Sequence, residues 1–431
     1  MVRAIGRWDL VALAVNAIIG AGIFALPAEL FRRIGTYSLL AFVACSLVVL
    51  LIILCFAEVS SRFAGTGGPY LYALEAFGPA VGFEVGWMNW IARVTAFAAN
   101  CNLLVDYLGF FWPAIASPGW RAAAICMVVF ALTILNLIGV RDAAVVSDLF
   151  TVAKLAPLAL FIVAGLFFIH PAAYSFASRP ALANFSASVL LLVYAFSGFE
   201  MATIVGGEAR HPQRDMPLAL LTAITVVAVF YILIQVVAIG TLPELATSAR
   251  PLADAGRRFL GSMGGAIISA GAVVSILGNL NVILLVGARL PFALAERHAL
   301  PRFIAATHPR FRTPHISILM TSAAVLLLSL SGTFLYAATI SVIARLFTYA
   351  ATCAALPVLR RRMDAPGAVF KTPAGMIVSL ASLLLIGWLL SNTTGRQARD
   401  SAIAAAVGLL IYVSSRARAD RTSQRRAVRR S

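Results

Sequence analysis

Twelve apolar stretches, each close to the length a helix needs to cross a bilayer, follow one another with only short links between them. We place them at residues 10–31, 37–57, 82–108, 121–139, 147–169, 185–207, 217–240, 264–290, 316–331, 335–358, 374–392 and 400–415. In lipid a chain satisfies its backbone polar groups only as helices or as a closed barrel, and runs of this length select helices. Composition agrees: 61% of the 431 residues are hydrophobic and 12% are charged, where a soluble domain carries about 25% charged residues. The five cysteines (Cys45, Cys55, Cys101, Cys126 and Cys353) are scattered through apolar stretches without metal-ligand or redox spacing. The first stretch begins near Asp9 and lacks the small-residue cleavage site of a signal peptide.

The formal net charge of +17 raises nucleic acid as a partner, but its distribution points to a membrane. With the N-terminus placed inside, most of the 34 Lys and Arg fall in inner segments, the bias that orients membrane proteins. Both termini are then cytoplasmic and the chain is a multi-pass inner-membrane protein. The tail from Arg416 (Arg418, Arg421, Arg425, Arg426, Arg429, Arg430) reads as a topology signal that touches anionic lipid. No aromatic residue interleaves it, so no nucleic-acid partner is expected.

The first stretch should be a continuous helix and is not written as one. Gly20 and Gly22 stand one residue apart within Ile18-Ile19-Gly20-Ala21-Gly22-Ile23-Phe24, and Pro27 follows. Such residues free backbone N–H and C=O groups that lipid cannot satisfy, so the break faces protein, water or a polar ligand. The sixth stretch repeats the feature: Tyr194-Ala195-Phe196 leads into Ser197-Gly198, then Phe199-Glu200. Spans one and six correspond if the first ten spans form two repeats of five, and an odd repeat inverts the second copy. Paired interruptions at corresponding positions point to a transport site at the repeat interface. The alternative is close helix packing, which glycine also serves in membranes.

Four segments, in order, resemble the amino acid–polyamine–organocation (APC) superfamily of transporters. They are the Ile-x-Gly-x-Gly-Ile-Phe-x-x-Pro run, Glu58-Val59-Ser60-Ser61-Arg62-Phe63 with Gly67-Gly68-Pro69-Tyr70, Phe150-Thr151-Val152-Ala153-Lys154-Leu155, and Phe196 to Glu200 followed by Gly207 to Pro217. The resemblance covers residues 8–360. It implies an all-α membrane protein of twelve transmembrane helices: a 5+5 inverted-repeat (LeuT-like) core with helices 1 and 6 broken, plus two peripheral helices. The domain reading is a core over 1–360 (repeats 8–170 and 183–360), peripheral spans over 361–415 and a basic cytoplasmic tail over 416–431. The implied activity is secondary active transport of an amino acid by alternating access, as a symporter or as an exchanger of an amino acid or polyamine.

The same resemblance places the substrate α-carboxylate on the N–H groups of Ala21, Gly22 and Ile23. It places the α-ammonium on carbonyls of Ile18, Ile19, Phe196 and Ser197, with Gly20 and Gly198 as the interruptions. Helix ends supply this chemistry without charged side chains, since orphan N–H groups suit an anion and orphan carbonyls a cation. An aromatic gate falls to Tyr194 or Phe196, either of which packing alone also explains. Glu200 matches the family's acidic residue beyond the break, as a tie between helices or a substrate sensor.

Charges inside spans are few. Lys154, in span five, is one of two lysines, and lysine gives up a proton far more readily than arginine when desolvated. The resemblance implies that its ammonium stands where a sodium ion binds in other members, which makes transport sodium-independent and proton-coupled; the alternative is that Lys154 snorkels to the interface. Arg93 and Arg345 lie in spans three and ten, with Asp106, Glu200 and Glu84 as candidate partners, and read as structural ion pairs or as gate and pocket residues. Asn100, Asn102, Ser275, Asn279 and Asn281 are polar residues of spans three and eight; the resemblance implies that span eight borders the site, which makes Ser275, Asn279 and Asn281 pocket candidates, with interhelical hydrogen bonding as the alternative. No metal-ligand spacing joins the histidines and no phosphate-binding glycine loop appears, so neither cofactor, metal nor ATP is expected. A membrane enzyme would need clustered His, Asp or Cys within the spans, which they lack.

Overall fold

The computed structural model describes residues 5–65, 67–139, 143–204, 206, 209–297 and 299–428, and leaves the side chains of 143–153 and 417–428 undescribed. Glu208, most of the basic tail and the Phe150–Ala153 motif side chains fall outside the described part.

The chain folds into helices joined by short turns. In order these are α1 (Arg7–Ile18), α2 (Gly22–Ile34), α3 (Ser38–Ser60), α4 (Gly68–Phe77), α5 (Pro79–Leu108), α6 (Pro118–Ile138), α7 (Ala143–Gly165), α8 (Leu182–Phe196), α9 (Glu200–Ile204), α10 (Pro212–Thr241), α11 (Pro251–Glu296), α12 (His315–Ser331), α13 (Phe334–Arg361), α14 (Gly375–Ser391) and α15 (Gly395–Val428). Among the described residues, six helical stretches are long and apolar enough to cross a membrane: Gly22–Ser60, Pro118–Ile138, Pro212–Thr241, Pro251–Glu296, Phe334–Arg361 and Gly395–Arg416. Shorter apolar helices, Leu182–Phe196 and His315–Ser331 among them, lie between these. Large apolar side chains such as Leu47, Met127, Phe130, Leu327 and Leu384 point outward, as a lipid-facing surface requires.

The two expected interruptions are real breaks. The first stretch splits into α1 and α2, with Ile19 extended (ψ 93°) after the last turn of α1. The sixth splits into α8 and the short α9, with Ser197 extended (ψ 160°) and Gly198 at φ +118°. A third irregularity, Gly261 at φ +70°, separates a short helical lead-in from the apolar body of α11.

Helix association in lipid rests on close packing and interhelical hydrogen bonds more than on the hydrophobic effect. α5 runs through the middle, packed on α11, α12 and α13, while α10 packs on α1 and α3 and α2 packs on α8. Polar contacts gather at the end that holds the N-terminal helix. Ile5 pairs with Ala209 through the Arg210 N–H to Ile5 carbonyl bond of 3.0 Å. Arg7 meets Asp215 at 3.0 Å, and Gln213 donates to the Arg62 carbonyl at 3.3 Å. Beside them Glu58, fully buried, accepts from Arg62 at 3.3 Å, from Arg360 at 2.7 and 2.6 Å and from the Thr372 N–H at 2.9 Å. The opposite end holds a cavity of about 470 Å³ lined by Glu29, Arg32, Asp106, Thr247, Ser248 and Phe334. Phe334, one of its lining residues, meets the Tyr194 ring edge-on at 5.8 Å.

Candidate functional site

The breaks meet. A small cavity of about 30 Å³ lies between them, lined on the α1–α2 side by Ala17, Ile18, Gly20, Ala21 and Gly22 and on the α8–α9 side by Tyr194, Ser197, Gly198 and Met201. Ala96 and Asn100 of α5, Asn279 and Ile283 of α11 and Arg345 of α13 close it. A space this small holds a few water molecules at most, so a larger ligand enters only if the walls move.

Local geometry explains why small residues stand here. Gly198 occupies a backbone region that side-chain-bearing residues avoid, and a Cβ there would lie 2.2 Å from the Ala17 carbonyl oxygen. Gly22 lets α2 touch α8: its Cβ would sit 2.7 Å from the Ala195 Cα. The packing reading of Gly22 therefore holds alongside the break, because one residue does both. The Phe24 N–H is the first of α2 to find a backbone acceptor, Ala21 at 3.0 Å. The N–H groups of Gly22 and Ile23 precede it as the orphan donors of a helix start. At the end of α1, Tyr231 donates to the Ile18 carbonyl at 3.3 Å and to the Ala195 carbonyl at 3.2 Å, so the Ile18 oxygen shares a donor already.

A polar relay crosses the site. The Tyr194 hydroxyl donates to Asn100 Oδ1, and Asn100 Nδ2 donates to Asn279 Oδ1 at 3.1 Å. The Asn279 Nδ2 lies 2.9 Å from the point where a Gly20 Cβ would stand. α8, α5 and α11 are thus linked by one chain of side-chain amides and a phenol, whose Asn279 end lies against Gly20.

Behind Gly198 sits a buried charge cluster. Glu200 is 1% exposed. It accepts from Arg345, from the Tyr349 hydroxyl at 2.9 Å and from the Gly198 N–H at 3.0 Å. Arg345 is itself braced by Ser341 at 3.4 Å, which donates to the Ala92 carbonyl at 2.7 Å. Of the candidate partners, Glu200 takes Arg345, while Asp106 takes Arg121 at 2.6 Å. Glu84 keeps a buried carboxylate with no hydrogen-bond partner among the described residues, and so does the guanidinium of Arg93.

Other expected residues are placed elsewhere. Phe196 is fully buried against Phe42 and Tyr231, with ring centroids 6.3 and 5.1 Å away, and does not line the cavity. Asn281 accepts from Asn136 at 3.0 Å; two residues from Asn279, it points off the far side of α11. Ile19 and Ile23 are buried in the packing around the break without lining the cavity. Lys154 is 3% exposed on α7, a helix that packs on α11 and meets α1. Ala17, Ala96, Met201 and Ile283 line the cavity and carry no sequence signal of their own.

Two interrupted helices thus border one cavity within a body of apolar helices. A family model described as amino acid permease matches residues 5–413. The chain belongs to the amino acid permease family of the APC superfamily. Its relatives include the serine/threonine exchanger SteT of Bacillus subtilis, 28% identical over 94% of each chain. The methylthioribose transporter of the same organism is 26% identical over 96% of this chain and 93% of its own. An uncharacterized transporter of Mycobacterium tuberculosis is 30% identical over 75% of this chain and 72% of its own.

Proposed function

We propose that this protein moves an amino acid across the inner membrane by alternating access around the two breaks, with both termini cytoplasmic and a twelve-helix, twice-five inverted-repeat core. The observation that carries the reading is the convergence of Gly20–Gly22 and Ser197–Gly198 on one cavity. The α-carboxylate binds the N–H groups of Ala21, Gly22 and Ile23, where the positive end of α2 favours an anion. The α-ammonium binds carbonyls at the end of α1 and α8, including Ile19 and Ser197. The polar cavity at the far end is the outer entrance, and Phe334 on Tyr194 is its gate. The tied contacts of Ile5, Arg7 and Arg62 are the inner closure, which must release for the substrate to leave.

Lys154 couples transport to protons, through a side chain buried on a helix that touches both α1 and α11. A polyamine fits less well, because the carboxylate it would need on Glu200 is already held by Arg345 and Tyr349. Exchange is the second reading, favoured by the likeness to a chain named as a serine/threonine exchanger.

The test is uptake into proteoliposomes of the twenty amino acids, methylthioribose and spermidine, each with an imposed pH gradient and with substrate loaded inside. Gradient-driven uptake of an amino acid, lost in Lys154→Ala while the variant elutes as a folded monodisperse protein, is expected. Full gradient-driven uptake by Lys154→Ala contradicts the coupling role. Uptake of none of the amino acids contradicts the substrate class.

A further inference from the structure

Arg93 is 1% exposed, and its three guanidinium nitrogens have no hydrogen-bond partner among the described residues. Residues one turn away from it on α5 and from its contact on α11 line the cavity. Ala96, one turn along α5, lines the cavity, and so does Ile283 of α11. Arg93 packs on Gly287, one turn beyond Ile283, where a Cβ would lie 3.7 Å from the Arg93 Cβ. The offset from the cavity is about 5 Å, one helical turn. Ala92, the neighbour of Arg93 on α5, accepts from Ser341, which braces Arg345 on Glu200, and Glu200 is occupied by Arg345, Tyr349 and the Gly198 N–H. Two guanidinium groups, Arg345 in the cavity lining and Arg93 behind it, thus stand on this side with the one carboxylate of Glu200, which Arg345 takes, and a positive charge is left in excess.

An uncompensated guanidinium in a dry membrane interior is costly, and an ionisable residue kept there marks a functional contact. The substrate's α-carboxylate and α-ammonium cancel each other on backbone groups of the two breaks, so they leave that excess untouched. A neutral amino acid would leave Arg93 unpaired, and a basic one would add a further cation. We propose that the transported amino acid carries an acidic side chain, whose carboxylate binds Arg93 beside the Arg345–Glu200 pair. This rests on the amino acid reading of the site. The two or three carbons of such a side chain span one helical turn, and guanidinium and carboxylate match as a two-pronged pair. A small inorganic anion offers the same charge, and the experiment separates the two.

The experiment measures uptake of radiolabelled L-glutamate, L-aspartate and L-serine into proteoliposomes by the full chain, Arg93→Gln and Arg93→Lys, in chloride and in methanesulfonate medium. The unaltered protein is expected to prefer an acidic amino acid in both media. Arg93→Gln is expected to lower the ratio of acidic to L-serine uptake by about tenfold or more, the loss of one charge-assisted contact. Arg93→Lys, which restores the charge, is expected to recover part of that ratio and stands in if Arg93→Gln does not fold. Uptake of L-serine with no uptake of either acidic amino acid overturns the proposal and leaves the amino acid reading intact. Uptake of L-serine that requires chloride and disappears in Arg93→Gln assigns the charge to a bound anion and also overturns it. An unchanged ratio in a folded Arg93→Gln protein does the same.

Discussion

Glu200→Ala is expected to destabilise the folded protein by about 3–5 kcal/mol, the cost of breaking a buried ion pair from one side. Glu200 and Arg345 are 1% and 6% exposed, so neither charge has water to fall back on. Removing the carboxylate leaves Arg345 without its acceptor and exposes it to the like charge of Arg93. The Tyr349 hydroxyl and the Gly198 N–H lose their acceptor in the same stroke, and each buried polar group left unmade costs roughly 1–3 kcal/mol. Glu200→Gln keeps an acceptor for both neutral donors and should fall between the two proteins. Glu200→Gln combined with Arg345→Met should recover part of the loss, because the stranded cation is gone. Thermal unfolding of the detergent-solubilised variants reads this order. A Glu200→Ala protein within about 1 kcal/mol of the original, the worth of a surface pair, contradicts the buried cluster.

Gly198→Ala is expected to abolish transport while the protein still inserts into the membrane. Two penalties fall on one methyl group. At φ +118° the backbone lies outside the region that alanine populates, and such strain costs about 1–3 kcal/mol. The added Cβ would also stand 2.2 Å from the Ala17 carbonyl oxygen, which is backbone and cannot rotate away. Relief requires α9 to move off the end of α1, which separates the two halves of the proposed site. Uptake by proteoliposomes and thermal unfolding together check this: transport lost, with stability lowered by about 2–5 kcal/mol from strain and overpacking combined. Normal uptake by Gly198→Ala would mean that the two breaks need not touch.

The breaks were legible in the sequence because a break is a local event. Gly20, Gly22, Ser197 and Gly198 announce loss of helix through their own backbone preferences, whatever surrounds them. The pairing of Arg345 with Glu200 was legible only as one option among three carboxylates. Residues 145 apart meet through the packing of whole helices, which no local pattern encodes. The direction of a polar side chain on a helix was harder still. Asn279 and Asn281 look equivalent in sequence, yet one faces the cavity and the other bonds Asn136. Phe196 and Tyr194 differ in the same way: the phenol reaches Asn100, while the phenyl ring is buried against Phe42 and Tyr231. The apolar lining residues Ala96, Met201 and Ile283 were invisible, since in a chain this hydrophobic a cavity wall and a helix contact are written with the same letters.

The proposed substrate site at the meeting of the breaks is most directly tested by ligand protection from both sides. Ala21→Cys and Ser197→Cys, each in a background with the five native cysteines replaced by alanine, would be labelled with a membrane-permeant thiol reagent, with and without a millimolar mixture of the protein amino acids. Slowed labelling at both positions by the same amino acid is the result predicted here. Labelling unaffected at both positions, or slowed at one break alone, would contradict a single site built from the two.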